Sequence, residues 1–173
     1  MENTLTQLMD EAGRLYHQGK FSRAAKVAER ALGVAEETLG SNHPTTASIM
    51  NNLAVLYRNL GKYRYAESLL KWALEIWRED FGPSHPEEAF FLNNLIGLYC
   101  DLGRYADAEP LYRRALAIAE ETVESNHPNM AGLLESLAVF CRETGKEDQA
   151  RKLEERARLV RSKNHDSKGG PGR

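Results

Sequence analysis

The run HPTTASIMNNLAVLYRNLGKYRYAESLLKWALEIWREDFG fills residues 43–82 and holds all but the last two residues of one copy of the unit from which this chain is built. Its opening His43-Pro44 returns as His85-Pro86 and as His127-Pro128, 42 residues apart each time. Its central glycine belongs to the series Gly19, Gly61, Gly103 and Gly145, which keeps the same step. A fixed period without insertions means one structural unit copied several times. Periods of roughly 20–50 residues build stacked arrays in which each copy covers its neighbour.

Within the run, Met50, Leu53, Ala54 and Tyr57 follow the i, i+3, i+4, i+7 spacing of an amphipathic helix. Pro44 suits the first turn, where its missing N–H is not needed. Gly61 suits the end, because glycine accepts the left-handed conformation that stops a helix. A second helix runs from Tyr63 to Asp80 with Ala66, Leu69, Leu70, Ala73, Leu74 and Trp77 inward. Each repeat therefore reads as two antiparallel helices, A and B, joined at a Gly-Lys/Arg-aromatic turn. The predicted helices cover about 2–18, 21–39, 44–60, 63–81, 86–102, 105–123, 128–144 and 147–162. No segment alternates with period two, so no strand is expected.

The other copies line up with this one. Ala24, Ala66, Ala108 and Ala150 form one column; Ala31, Ala73, Ala115 and Ala157 form another. Small side chains there let two helices approach closely. Pro110 falls near the start of the third B helix and predicts a local bend rather than a break. Val123-Glu124 replaces the Leu-Gly or Phe-Gly stop, so that helix is expected to run on slightly. The last B helix carries Glu147 and Arg158 where the earlier ones have an aromatic and a leucine. A charged outer face suits a terminal repeat. The polar, Gly-rich segment 162–173 is expected to be disordered.

The totals narrow the function classes. Twenty-three Lys and Arg against 25 Asp and Glu leave a net charge of -2, unlike the basic footprint of a nucleic-acid binder. Cys100 and Cys141 have neither CxxC nor zinc-site spacing and are read as reduced thiols. No signal peptide or membrane span is visible, so a cytoplasmic protein is expected. There is no phosphate loop, no GxSxG and no HExxH, and no cofactor is implied. The three His-Pro histidines sit on successive repeats, too far apart to share a metal. Either the histidine or the preceding Asn is read as a helix cap, which satisfies the first N–H groups of an A helix. Trp72, Trp77, Tyr57, Tyr63, Tyr99 and Tyr105 are read as packing residues.

Met50-x2-Leu53-Ala54-x2-Tyr57, Gly61, Tyr63, Ala66-x3-Leu70 and Ala73 resemble the tetratricopeptide pattern, whose common unit has about 34 residues. The 42-residue form is similar to the kinesin light chain type. Its marks here are His43-Pro44, Asn51-Asn52-Leu53-Ala54, Leu60-Gly61-Lys62-Tyr63 and the run from Ala108 to Leu116. The resemblance covers residues 1–161 as four repeats, about 1–42, 43–84, 85–126 and 127–161. It implies an all-α, right-handed α-solenoid of four tetratricopeptide helix pairs. In that fold the A helices line a concave groove that receives a peptide or partner protein.

The resemblance also implies which A-helix positions face the groove. They are Ser48, Asn51, Val55, Arg58 and Asn59 in the second repeat, and Phe90, Asn93, Gly97, Cys100 and Asp101 in the third. The fourth offers Gly132, Glu135, Val139, Arg142 and Glu143; the first offers Thr6, Met9, Gly13, Tyr16 and His17. Asparagine amides carry both donor and acceptor for an extended backbone. Gly97 leaves room for a guest side chain, and Arg58 and Arg142 suit a carboxylate. The expectation is a non-catalytic scaffold that binds another protein. The alternative is a homo-oligomer stacking through its N-terminal end, where Leu5, Leu8 and Met9 are expected to lie uncovered. An enzyme or small-ligand site, with Cys100 as its centre, ranks third.

Overall fold

The computed structural model describes residues 2–82, 85–121 and 130–166, with side chains described for 4–82, 85–121 and 130–162. Among the described residues there are eight α-helices and no strand. They fall into two compact units, 1–83 and 84–173. The first holds α1 (Glu2–His17), α2 (Phe21–Thr38), α3 (Pro44–Asn59) and α4 (Tyr63–Phe81). The second holds α5 (Glu88–Asp101), α6 (Tyr105–Glu121), α7 (Met130–Glu143) and α8 (Glu147–Asp166). Consecutive A and B helices pack as pairs, and α3 packs against both α2 and α4. The architecture is an all-α solenoid of helix pairs.

The glycine column works as expected. Gly61 has φ +71°, and the next residue's N–H reaches back from Lys62 to the Tyr57 carbonyl at 2.8 Å. Lys20 to Leu15, Arg104 to Tyr99 and Lys146 to Cys141 repeat that bond. It closes the last turn and satisfies a carbonyl that the helix leaves open. The alanine columns are fully packed: Ala24, Ala31, Ala66, Ala73, Ala108, Ala115 and Ala150 expose nothing. The α6 helix runs unbroken through Pro110. The expected run-on at Val123-Glu124 and the third His-Pro lie outside the described residues.

Four expectations need correction. The α5 helix starts at Glu88, not at 86, because its entry is a tighter turn. Glu88 N–H donates to His85 O at 2.9 Å and Ala89 N–H to Pro86 O at 3.2 Å, both three-residue bonds. The α8 helix continues to Asp166, into the segment expected to be disordered, whose remainder lies outside the described residues. Trp72 and Tyr105 are exposed rather than packed. Finally, α1 does not present an apolar end. Leu8 is buried, and Leu5 and Met9 pack against the core of the first unit.

The outward face of α1 is instead polar. Gln7, Glu11 and Arg14 are exposed where α3 has buried Ile49, Leu53 and Leu56, and α7 has buried Leu133, Leu137 and Phe140. At the other terminus, α8 carries Arg151, Glu154, Arg158 and Arg161. The matching residues of α2 are Ala25, Ala28, Leu32 and Ala35, buried or half-buried toward α3. On these faces α1 carries exposed polar residues and α8 carries charged ones, two of which, Glu154 and Arg161, are ion-paired to α7.

Charges inside the second unit are paired across helices. Glu88 is fully buried, and Arg114 holds it with Nε at 2.7 Å and Nη2 at 3.0 Å. The Arg114 guanidinium is raised by that hydrogen bond. Lys146 Nζ donates to Glu109 at 2.6 Å and holds that carboxyl below its ordinary range. The buried Cys141 thiol donates to the Tyr112 hydroxyl at 3.0 Å, beside the stacked Tyr112 and Phe140 rings. Burial pushes the Tyr112 phenol up.

Candidate functional site

The A helices of the first unit enclose a cleft of about 320 Å³. Met9, Ala12, Gly13 and Tyr16 of α1 line it, with Ala28 of α2 and Asn52, Val55 and Leu56 of α3. Helix geometry explains the set: residues 9, 13 and 16 lie on one face of α1, and 52, 55 and 56 on one face of α3. A side-chain carbon placed on Gly13 would meet nothing within 4 Å, so the glycine leaves open space inside the cleft. Tyr16 stands at the edge, its ring against Phe21 at 5.5 Å and His17 at 5.7 Å. The surface is mainly apolar, with the Asn52 amide able both to donate and to accept.

Of the positions expected to face the groove, Met9, Gly13, Tyr16 and Val55 are brought together here. Asn51 is half-buried and does not line the cleft; its exposed neighbour Asn52 does. One residue on a helix is a rotation of about 100°, so a doublet of asparagines hides which one faces the site. Ser48 gives its hydroxyl to Pro44 O at 3.1 Å, and Asn59 gives its amide to Val55 O at 2.8 Å. Both therefore spend a donor on their own helix. Arg58 is half-buried. In the second unit Phe90, Asn93, Gly97 and Cys100 are half-buried and Asp101 is exposed.

The fourth repeat differs most from the expectation. Glu135 accepts from Arg161 at 2.7 Å, and Arg142 pairs with Glu154. Antiparallel α7 and α8 thus form two ion-pair rungs seven residues apart along each helix. The carboxylate that Arg142 was expected to take from a guest is supplied by the chain itself.

His43 caps α3, its Nδ1 accepting the Thr45 N–H at 3.1 Å, whereas His85 Nδ1 accepts the Glu87 N–H at 3.2 Å in the turn ahead of α5. Among the described residues no group of three His, Cys, Asp or Glu is placed to hold a metal ion. No described helix is long and apolar enough to cross a membrane.

Tetratricopeptide repeat models match residues 8–79 and 87–161, and a second such model matches 51–121. The chain belongs to the tetratricopeptide repeat family. Its 42-residue repeats are similar in fold to those of kinesin light chain-like proteins of known structure. The solved structure of BtubC (BKLC) from P. vanneervenii is similar, with TM-score 0.76 and 25% identity, over 98% of this chain and 67% of that one. A Podosopora anserina protein of nearly identical, kinesin light chain-like TPR repeats shares the fold at TM-score 0.62 and 21% identity, over 92% and 96% of the two chains. Comparison with curated protein sequences gave no match. Tetratricopeptide proteins generally serve as scaffolds for protein interactions and generally are not enzymes.

Proposed function

We propose that this chain is a non-catalytic interaction scaffold, with the four repeats of residues 1–161 as its binding module. An extended segment of another protein lies along the A helices of the first unit and seats one apolar side chain in the cleft of Met9, Gly13, Tyr16 and Val55. Asn52 and Asn51 then read the backbone of that segment, with Arg58 as a further polar contact. The single observation that supports this reading is the open, mainly apolar cleft at Gly13. A pocket of this kind suits one medium-sized side chain, and its asparagine rim suits an extended backbone.

Gly13→Leu is the informative variant. Leucine fills the cleft yet favours the helix over glycine by roughly 0.5–1 kcal/mol, so binding and folding move in opposite directions. Peptides selected from a random display library on the wild-type chain should bind Gly13→Leu at least tenfold more weakly, while its melting temperature holds or rises. Equal binding to both chains would remove the cleft from the site.

A further inference from the structure

Helices α2 and α4 each carry one exposed line of residues at positions spaced three and four apart, a spacing that keeps them on one helix face. In α2 this line begins Arg23, Lys26 and Arg30. All three are exposed, and none has an ion-pair partner among the described residues. In α4 the line reads Tyr65, Ser68, Trp72, Glu75 and Glu79. Tyr65 is 67% exposed and Trp72 40% exposed. Glu75 and Glu79 are exposed and equally without ion-pair partners. The position of Trp72 is an arginine in the other three B helices: Arg30, Arg114 and Arg156. An indole in water at a place where the repeat otherwise keeps a cation asks for a cover.

The chain carries a matching cover of its own. Equivalent helices of successive repeats run in the same direction, so α2 and α4 flank α3 as parallel neighbours. A two-fold axis perpendicular to them would lay α2 of one copy antiparallel on α4 of another, and by symmetry α4 on α2. With Arg30 set over Trp72 of the second copy, Lys26 falls opposite Glu75 and Arg23 opposite Glu79. Gly33 falls opposite Ser68, a small pair that lets the helices approach. Three registers of chemistry agree: a guanidinium on an indole face, two lysine/arginine–glutamate pairs, and a close crossing point. Parallel pairing would put Arg23 near Tyr65 and leave the glutamates beside Gly33 and Glu37, so charge selects the antiparallel arrangement.

We propose that the outward face of α2 and α4 is a homodimer interface, formed by two copies of this chain related by a two-fold axis. This surface lies on the B helices and is independent of the A-helix cleft.

Sedimentation equilibrium of the full chain tests it with two charge-reversed variants. One carries Arg23→Glu and Lys26→Glu; the other carries Glu75→Lys and Glu79→Lys. All four positions are exposed, and circular dichroism checks that helix content is kept. The wild type should dimerise, less tightly as salt is raised. Each variant alone should be monomeric, and an equal mixture should form a one-to-one dimer, because both contacts become complementary again. Trp72→Arg should weaken the wild-type dimer at least tenfold. A wild type that stays monomeric at every concentration overturns the proposal. So does a dimer that survives both reversals, or a mixture that fails to associate while both variants remain folded.

Discussion

Breaking the Glu88–Arg114 pair from either side should give unequal costs. Glu88 is fully buried, whereas the Arg114 side chain keeps 38% of its exposure. Arg114→Met leaves a carboxylate inside the second unit without its guanidinium. Removing one partner of a buried pair costs about 3–5 kcal/mol, because the remaining charge has lost its solvation and its compensation. Glu88→Gln keeps the shape and lets the guanidinium turn toward water. What is lost is the charged character of two hydrogen bonds, about 1–2 kcal/mol. Urea unfolding followed by helix circular dichroism resolves the difference. With a slope near 1.5 kcal/mol per molar, Arg114→Met should lower the midpoint by about 2–3 M and Glu88→Gln by about 1 M. If Glu88→Gln costs as much as Arg114→Met or more, the reasoning from unequal burial is wrong.

Three further outcomes are expected. Burial, then the hydrogen bond its hydroxyl gives to Glu29 at 2.8 Å, pushes the Tyr57 phenol from 10.0 up to about 12. Its contribution is complete below pH 10 and is lost as pH rises toward 12, so the alkaline fall in stability should be shallower in Tyr57→Phe; absorbance of ionised tyrosine follows the titration. Glu109 has a lowered carboxyl, held first by the Lys146 hydrogen bond. Its contribution is present above pH 4.5 and lost as pH falls, and Lys146→Met should flatten that acid dependence in thermal melts. His43→Ala removes the acceptor of the Thr45 N–H and should cost about 1 kcal/mol, read as a lower melting temperature.

The fold was legible because helix ends and packing columns are local. Gly61 and Pro44 mark where backbone groups lose or lack partners, and Ala66 and Ala73 mark where two helices touch. Those properties belong to single positions and survive in every copy. The first turn of α5 was not legible, since Pro86 is equally compatible with an α-helical and a tighter start. Side-chain partners across helices were not legible either. Arg142 reads as a free groove cation until the antiparallel register of α7 and α8 sets Glu154 beside it. Glu88 looks like an ordinary helix-start acid, and the sequence does not show that Arg114 of the next helix holds it in the interior. The sequence puts Asn51 and Asn52 on one helix without showing which of them lines the cleft, since neighbours differ by about 100° of rotation. Leu5 and Met9 looked uncovered because the pattern showed no earlier repeat, whereas α2 and α3 of the same unit take them in.

The polar faces of α1 and α8 bear on how a chain like this could change length. A helix pair joined ahead of α1 would meet Gln7, Glu11 and Arg14 where interior neighbours meet leucine and isoleucine. A pair joined after α8 would meet Arg151, Glu154, Arg158 and Arg161. Neither join would dock without several simultaneous substitutions. Copying an interior 42-residue block, by contrast, brings two greasy sides with it and needs none. A designer wishing to lengthen the array should therefore splice a block at Gly61 rather than add a pair beside α1 or α8.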